Sequence, residues 1–328
     1  MTWLAWRTTR LQAAVAVACV AAVLLAAVAA GRGDTTLRMW LGVLVIVAPG
    51  LLGMFWGAPL VAKELESGTF RLAWTQDVSR ARWTVVRLLA TGLAGTAVVG
   101  LLSLAVTWWV GPLDRAGMDQ FATFDSRDLV PLGYAAFAFA LGALAGALLR
   151  RTVPAMAVTL VAFTAARVAF RLLARPVLLP PGVQALPLDP SSTGYGASGF
   201  LPFIPASTLQ PALPDMPNAW ITSLSIVNRS GTGLTASVLD KTCPGIGDGR
   251  ASGGNPGLGS GGNTRQAPPS VVNGTHECVA RIATTYHEVV TYQAASRYWP
   301  LQWCELGIFV AVSVALAGLT VWRVRRLG

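Results

Sequence analysis

Three charged side chains stand where an apolar chain would be expected to carry none. Arg167 and Arg171 interrupt the apolar stretch 152–173, and Glu305 is the only charge within 299–322. An ionised group in hydrocarbon is costly, and it persists where it pairs with another charge or lines a path. At helical rise, Arg167 lies roughly 22 Å from Thr152 and Glu305 roughly 26 Å from Trp322, so the two reach similar depths. The spacing allows an ion pair joining Arg167, or its neighbour Arg171, to Glu305 as a gate near the outer face. The competing reading is that the arginines snorkel to the interface and Glu305 sits among headgroups.

Other candidates lie outside the apolar runs. Residues 63–83, KELESGTFRLAWTQDVSRARW, mix Glu64, Glu66 and Asp77 with Lys63, Arg71, Arg80 and Arg82 around Leu65, Phe70, Leu72 and Trp74. Such a segment suits docking, or it is a solvated loop whose arginines fix topology. Cys243 and Cys278 flank the glycine-rich stretch 245–263, where a disulfide would restrain a flexible segment in an oxidising exterior. His276 and His287 match no zinc spacing and read as surface histidines, so no metal is expected. No GxxxxGK[ST], HExxH or GxSxG occurs, and neither Lys63 nor Lys241 follows a glycine. The chain is therefore expected to be no enzyme and to hold no cofactor itself; energy for active transport would come from a partner.

The elements that must position these residues are membrane helices. The 328 residues are 53% hydrophobic and 12% charged, with mean hydropathy +0.54 and net charge +10. An ordinary soluble enzyme carries about 25% charge. The basic residues are scattered between apolar runs, which argues against nucleic acid as a partner. Six stretches, 11–30, 39–62, 88–113, 129–149, 152–173 and 299–322, are long and apolar enough to span a bilayer. The first exceeds a signal-peptide core in length and is read as a retained helix. With the amino terminus inside, Arg7, Arg10, Lys63, Arg71, Arg80, Arg82, Arg87, Arg150, Arg151, Arg323, Arg325 and Arg326 fall on inner segments. Only Arg32, Arg38, Arg115 and Arg127 fall on short outer loops. The positive-inside rule thus makes both termini cytoplasmic. Trp40, Trp108, Trp109, Trp299 and Trp303 near one interface and Trp3, Trp6, Trp83 and Trp322 near the other form the expected aromatic belts.

The fold class expected is thus an all-α polytopic membrane protein with six transmembrane helices. Residues 1–173 carry helices one to five with a cytoplasmic loop at 63–87, residues 174–298 form an external segment, and residues 299–328 form helix six with a basic tail. The external segment holds 14 of the 20 prolines and 16 of the 34 glycines, a composition of loops. Near its end, Val279, Ile282, Ala283, Tyr286 and Val289/Val290 recur at helical spacing, which predicts a packed helix returning to the membrane. Gly53-x-x-x-Gly57 and Gly142-x-x-x-Gly146 would allow close helix approach, and Pro49 would kink the second span.

The run Glu64-Leu65-Glu66-Ser67-Gly68-Thr69 after the second span resembles the E-x-E-x-G-T run of permease subunits of ABC transporters of the ABC-2 type. Arg71, Trp74-Thr75-Gln76 and Arg80-x-Arg82-Trp83 extend the likeness. The runs Ala147 to Met156 and Ser296 to Trp303 resemble an actinobacterial branch of that family most closely. The resemblance implies a bacterial plasma-membrane, multi-pass permease surrounded by membrane lipid. It would pair with a second permease copy, in a homodimer or with a sister permease, and with a cytoplasmic ATPase that binds ATP and Mg. Glu64, Glu66, Gly68, Thr69 and Arg71 would then lie on or beside a coupling helix that contacts the ATPase. The function expected is outward movement of a hydrophobic or amphipathic substrate. The alternative is a non-transporting receptor or scaffold whose external segment binds a partner or senses envelope stress.

Overall fold

A computed structural model describes residues 35–67, 80–115, 120–188, 216, 218–242, 277 and 280–326. They divide into two compact units, one of residues 1–180 with 294–328 and the other Pro181–Gln293.

The first unit is helical. Its elements are α1 (Thr35–Leu52), α2 (Ala58–Ser67), α3 (Arg80–Arg115), α4 (Val130–Leu149), α5 (Thr152–Ala169), the short α6 (Arg175–Leu178) and α8 (Tyr298–Arg325). Single π turns, Gly53–Gly57 and Phe170–Ala174, join α1 to α2 and α5 to α6, so each pair runs on as one long rod. Five rods are long and apolar enough to cross a membrane: Met39–Glu66, Arg82–Gly111, Gln120–Leu149, Thr152–Leu178 and Ala295–Arg325. They correspond to the second to sixth predicted spans; the first, 11–30, lies outside the described residues. Leu173, Val153 and Val177 are among the outward-facing apolar side chains of the fourth rod, as a surface solvated by lipid requires.

Rod Gln120–Leu149 is the hub. Its helix α4 packs against α1, α2, α3, α5 and α8, and Ala135, Ala138, Ala143 and Ala147 are wholly buried. Small side chains permit this, because helices in lipid gain association from close packing rather than from a hydrophobic drive. The two GxxxG motifs face each other. A Cβ at Gly142 would collide with the Gly53 carbonyl oxygen, and one at Gly53 with the Ala138 carbonyl. Pro49 removes the donor that would reach the Val45 carbonyl, and the chain stays helical through it, taking up the extra residue in the π turn just beyond. Trp40, Trp108, Trp299, Trp303 and Trp322 are exposed, as belt residues should be. Trp109 departs from the expected belt: it is buried against Leu41, Val45, Leu102, Val106 and Val110.

The second unit corrects two expectations. It contains a three-stranded antiparallel sheet of order β1-β3-β2, formed by β1 (Gly182–Pro187), β2 (Trp220–Asn228) and β3 (Tyr286–Gln293). The protein is therefore mostly helical rather than all-α. The predicted returning helix over 279–290 breaks at Thr284–Thr285, and its second half is the central strand. The run Tyr286 to Tyr292 is rich in β-branched and aromatic residues, which suit a half-buried pleated surface. Pairing on both sides, such as Val289 with Ala185 and with Ser225, gives its backbone more partners than a lone helical turn could. The unit also contains α7 (Ala236–Thr242). Leu188, Ile226 and Ile282 form a small core. Glu288 stands on β3 opposite Leu186 and Ile226, and burial pushes its carboxyl above the usual range.

Candidate functional site

Among the described residues, the helical unit carries its charged groups towards the two ends of its rods. Arg175, one turn beyond Arg171, sits at the centre of the first group. Its Nε and Nη2 donate to Glu305 Oε2 and Oε1 at 3.1 and 2.9 Å, a bidentate fork. Nη2 also donates to Asp125 Oδ1 and, at 3.0 Å, to the Tyr134 hydroxyl. The Tyr134 hydroxyl lies against both Asp125 and Glu305. All four side chains are buried: Asp125 is 8% exposed, Arg175 5%, Tyr134 2% and Glu305 0%. Arg175 is fixed by the rod of α5 and α6, Tyr134 by α4, Glu305 by the first turns of α8, and Asp125 by the 3-10 turn Gln120–Ser126. The network therefore ties three spanning rods together.

The partner of Glu305 is Arg175, which corrects the expected pairing with Arg167 or Arg171. Those two arginines turn to Asp125, at 3.7 and 3.3 Å. The helix continues past Leu173 through a π turn, and Arg175, beyond that turn, is the residue that reaches Glu305. Arg167, Arg171 and Arg175 recur every four residues, the spacing that places side chains on one helical face. Arg167 finds two further partners: its Nη1 donates to the Ile46 carbonyl at 2.8 Å, in the turn preceding Pro49, and its guanidinium lies 4.1 Å from the centre of the Tyr134 ring. Arg171 remains two-thirds exposed.

A second polar set adjoins the first. Gln302 Oε1 accepts from Leu129 N and Val130 N at 3.1 and 2.9 Å, supplying from α8 the cap that the start of α4 lacks. Tyr298 donates to Asp128 Oδ2 at 2.5 Å and accepts from Arg127 Nε at 2.8 Å. Asp128, at a positive φ of 59°, is held by Thr107 and by Ser103, whose hydroxyl donates to its carbonyl at 2.9 Å. The sequence alone gives no role to Asp125 or Asp128, and Tyr298 and Gln302 enter it only within the run Ser296 to Trp303. An Asp two residues before the Arg127-Asp128 pair, in a short loop, was the available signal.

The opposite end of the unit lies about 23 residues, roughly 34 Å, away along the rod that starts at Thr152. Here the last turn of α2 carries Glu64 and Glu66, which composition assigns to a loop over 63–87 and the family resemblance to a place on or beside a coupling helix. Glu64 pairs with Arg87 of α3. Glu66 Oε2 accepts from the Thr152 backbone N–H at 3.1 Å and from its hydroxyl at 2.8 Å. Glu66 is exposed, whereas the helix turns beneath it are closed by Val61, Ala147 and Val324. Gly68, Thr69 and Arg71, the rest of the motif, lie outside the described residues, as do Cys243, Cys278 and His276. Among the described residues there is no cluster of His, Cys, Asp and Glu able to hold a metal ion.

The helical unit is thus a polytopic membrane domain whose E-x-E motif closes one end. Residues 32–175 match the family model described as ABC-2 membrane transporter related. This stretch is similar to that family. Neither a curated protein nor a solved structure matches the chain. The ABC-2 region covers α1 to α5, both GxxxG motifs, Glu64, Glu66, Asp125, Arg167 and Arg171, and ends at Arg175. The chain is accordingly a multi-pass membrane protein, and a bacterial plasma membrane suits it.

Proposed function

We propose that the chain is the permease subunit of an ATP-driven exporter, moving a hydrophobic or amphipathic substrate outward. It would work with a cytoplasmic ATPase that binds ATP and Mg and with a second permease copy. The observation that carries this reading is the family match over 32–175, which contains the E-x-E-x-G-T run between two spanning rods. In this reading the Glu64 and Glu66 end is cytoplasmic, as the basic residues Arg80, Arg82, Arg150, Arg151, Arg323, Arg325 and Arg326 around it favour. Because both glutamates already have partners inside the chain, the ATPase contact falls to the connection 68–79, with Gly68, Thr69 and Arg71. The first predicted span completes six helices, and Pro181–Gln293 faces outside, restrained by a Cys243–Cys278 disulfide. The buried Asp125, Arg175 and Glu305 set closes the outer end. With few fixed charges apart from this set, the helices suit an apolar cargo better than a small ion.

A photoreactive amino acid placed at Arg71 tests the reading in native membranes. Cross-linking to an ATP-binding protein, identified by mass spectrometry, is the expected result; labelling of lipid or of unrelated proteins alone would refute it. The alternative of a receptor or scaffold draws on the folded sheet of the second unit. It would be favoured by a partner captured through Pro181–Gln293 in cells where no ATPase is captured through residue 71.

A further inference from the structure

Helix α5 starts without a cap of its own. Its N-cap residue is Arg151, extended at φ −132° and ψ 129°, and no side chain of its own caps the turn. A guanidinium has only donors, so it cannot accept from the exposed N–H groups of a first turn. The acceptor comes from another helix: Glu66, in the last turn of α2, receives both the N–H and the hydroxyl of Thr152. A carboxylate there also faces the positive end of the helix dipole. Two residues earlier, Glu64 holds Arg87 of α3. Residues two apart on a helix point about 200° apart around its axis, so one turn of α2 grips α3 on one side and α5 on the other.

We infer that Glu66 is a positioning residue, a latch through which the end of α2 moves the start of α5, rather than a contact for the ATPase. The inference rests on the transporter reading above. Residues 68–79 leave α2 immediately after this turn, so a push on that connection reaches Ser67 and Glu66 first. Because Arg151 offers no acceptor of its own, the Thr152 N–H and hydroxyl either follow Glu66 or give up this partner. The E-x-E pair thereby acts inward, and the docking surface lies beyond it in sequence.

The test uses the full chain purified with its bound ATPase, followed by hydrogen–deuterium exchange with and without ATP and vanadate. In the wild type, nucleotide trapping should change exchange at Thr152 to Met156. Glu66→Ala should keep the ATPase bound, raise basal exchange there about fivefold, as loss of a helix cap implies, and abolish the nucleotide response. Arg151→Asn in the Glu66→Ala background supplies a local cap; it should restore basal protection without restoring the response. Recovery of the response in that double variant would reduce Glu66 to a cap and overturn the latch. So would a nucleotide response that survives Glu66→Ala, or loss of the ATPase from Glu66→Ala with retention in Thr152→Val, which would make Glu66 a docking contact. Purification of the wild type without any ATPase would refute the transporter reading and the coupling role together, and is recognised before any variant is made.

Discussion

The two ends of the helical unit handle charge differently. Around Arg175, two carboxylates, a tyrosine hydroxyl and a guanidinium are withdrawn from solvent, and each of the two carboxylates meets more than one donor. Around Glu66 the groups are exposed or partly so, with Glu64 facing Arg87 and Glu66 facing Thr152. A buried set of ions holds its geometry because removing any member strands the rest without water. An exposed pair exchanges partners at little cost. The first arrangement suits a fixed closure between rods, and the second suits a place where another protein must push.

Breaking the buried end should have the largest effect. Arg175→Met leaves Asp125 and Glu305 without their central donor and should cost about 3–5 kcal/mol, seen as a collapse of the monodisperse peak in heated size-exclusion runs. Adding Glu305→Gln should recover part of the loss; no recovery would mean that the network is not one unit. Next comes the seam between the GxxxG motifs. Gly142→Val forces α4 away from the Gly53 carbonyl and should cost about 1–3 kcal/mol in the same assay, whereas Gly307→Val, at a site open to its surroundings, should change little.

At the exposed end, Glu64→Gln weakens a pair whose side chains are 28% and 22% exposed and should cost less than about 1 kcal/mol. Its loss should shrink further in high salt; an effect as large as that of Arg175→Met would erase the contrast between the ends. The smallest effect belongs to the sheet unit. Glu288 titrates above the usual value of 4.5 because burial disfavours its charged form. Its folded state therefore holds a proton that the unfolded state releases, so stability is greatest below that value and declines as pH rises through the raised one. Glu288→Gln should flatten this slope in pH-dependent melting of the full chain, and an unchanged slope would assign it to another group.

Much of this contrast was legible in the sequence. Apolar runs of spanning length gave five rods, since bilayer thickness leaves little freedom in helix length. The GxxxG motifs met because glycine is among the few residues that let α1 and α4 backbones approach so closely. The charges in the apolar runs drew notice to Arg167, Arg171 and Glu305, yet depth along an axis does not say which way a side chain faces, and the π turn at Phe170–Ala174 was invisible to a period of 3.6. Asp125 and Gln302 were missed because their partners are remote in sequence, Arg175 lying 50 positions from Asp125 and Leu129 lying 173 from Gln302. The strand at Tyr286–Gln293 eluded a local reading because its pairing with β1 and β2, distant in sequence, decides its conformation. Glu64 and Glu66 are conspicuous in the sequence through the E-x-E run, whereas their partners Arg87 and Thr152 have no local signature.

The central claim is that this membrane domain is driven by a separate ATPase docked at the Glu64 and Glu66 end. Its most direct test is affinity purification of the tagged full chain from native membranes, with mass spectrometry and an ATP-hydrolysis assay on the eluate. The account predicts an ATPase recovered with wild type and with Arg175→Met/Glu305→Gln protein that remains folded, and lost with Arg71→Glu. Intact wild-type chain recovered without any ATPase, under conditions that keep a control transporter whole, would contradict it.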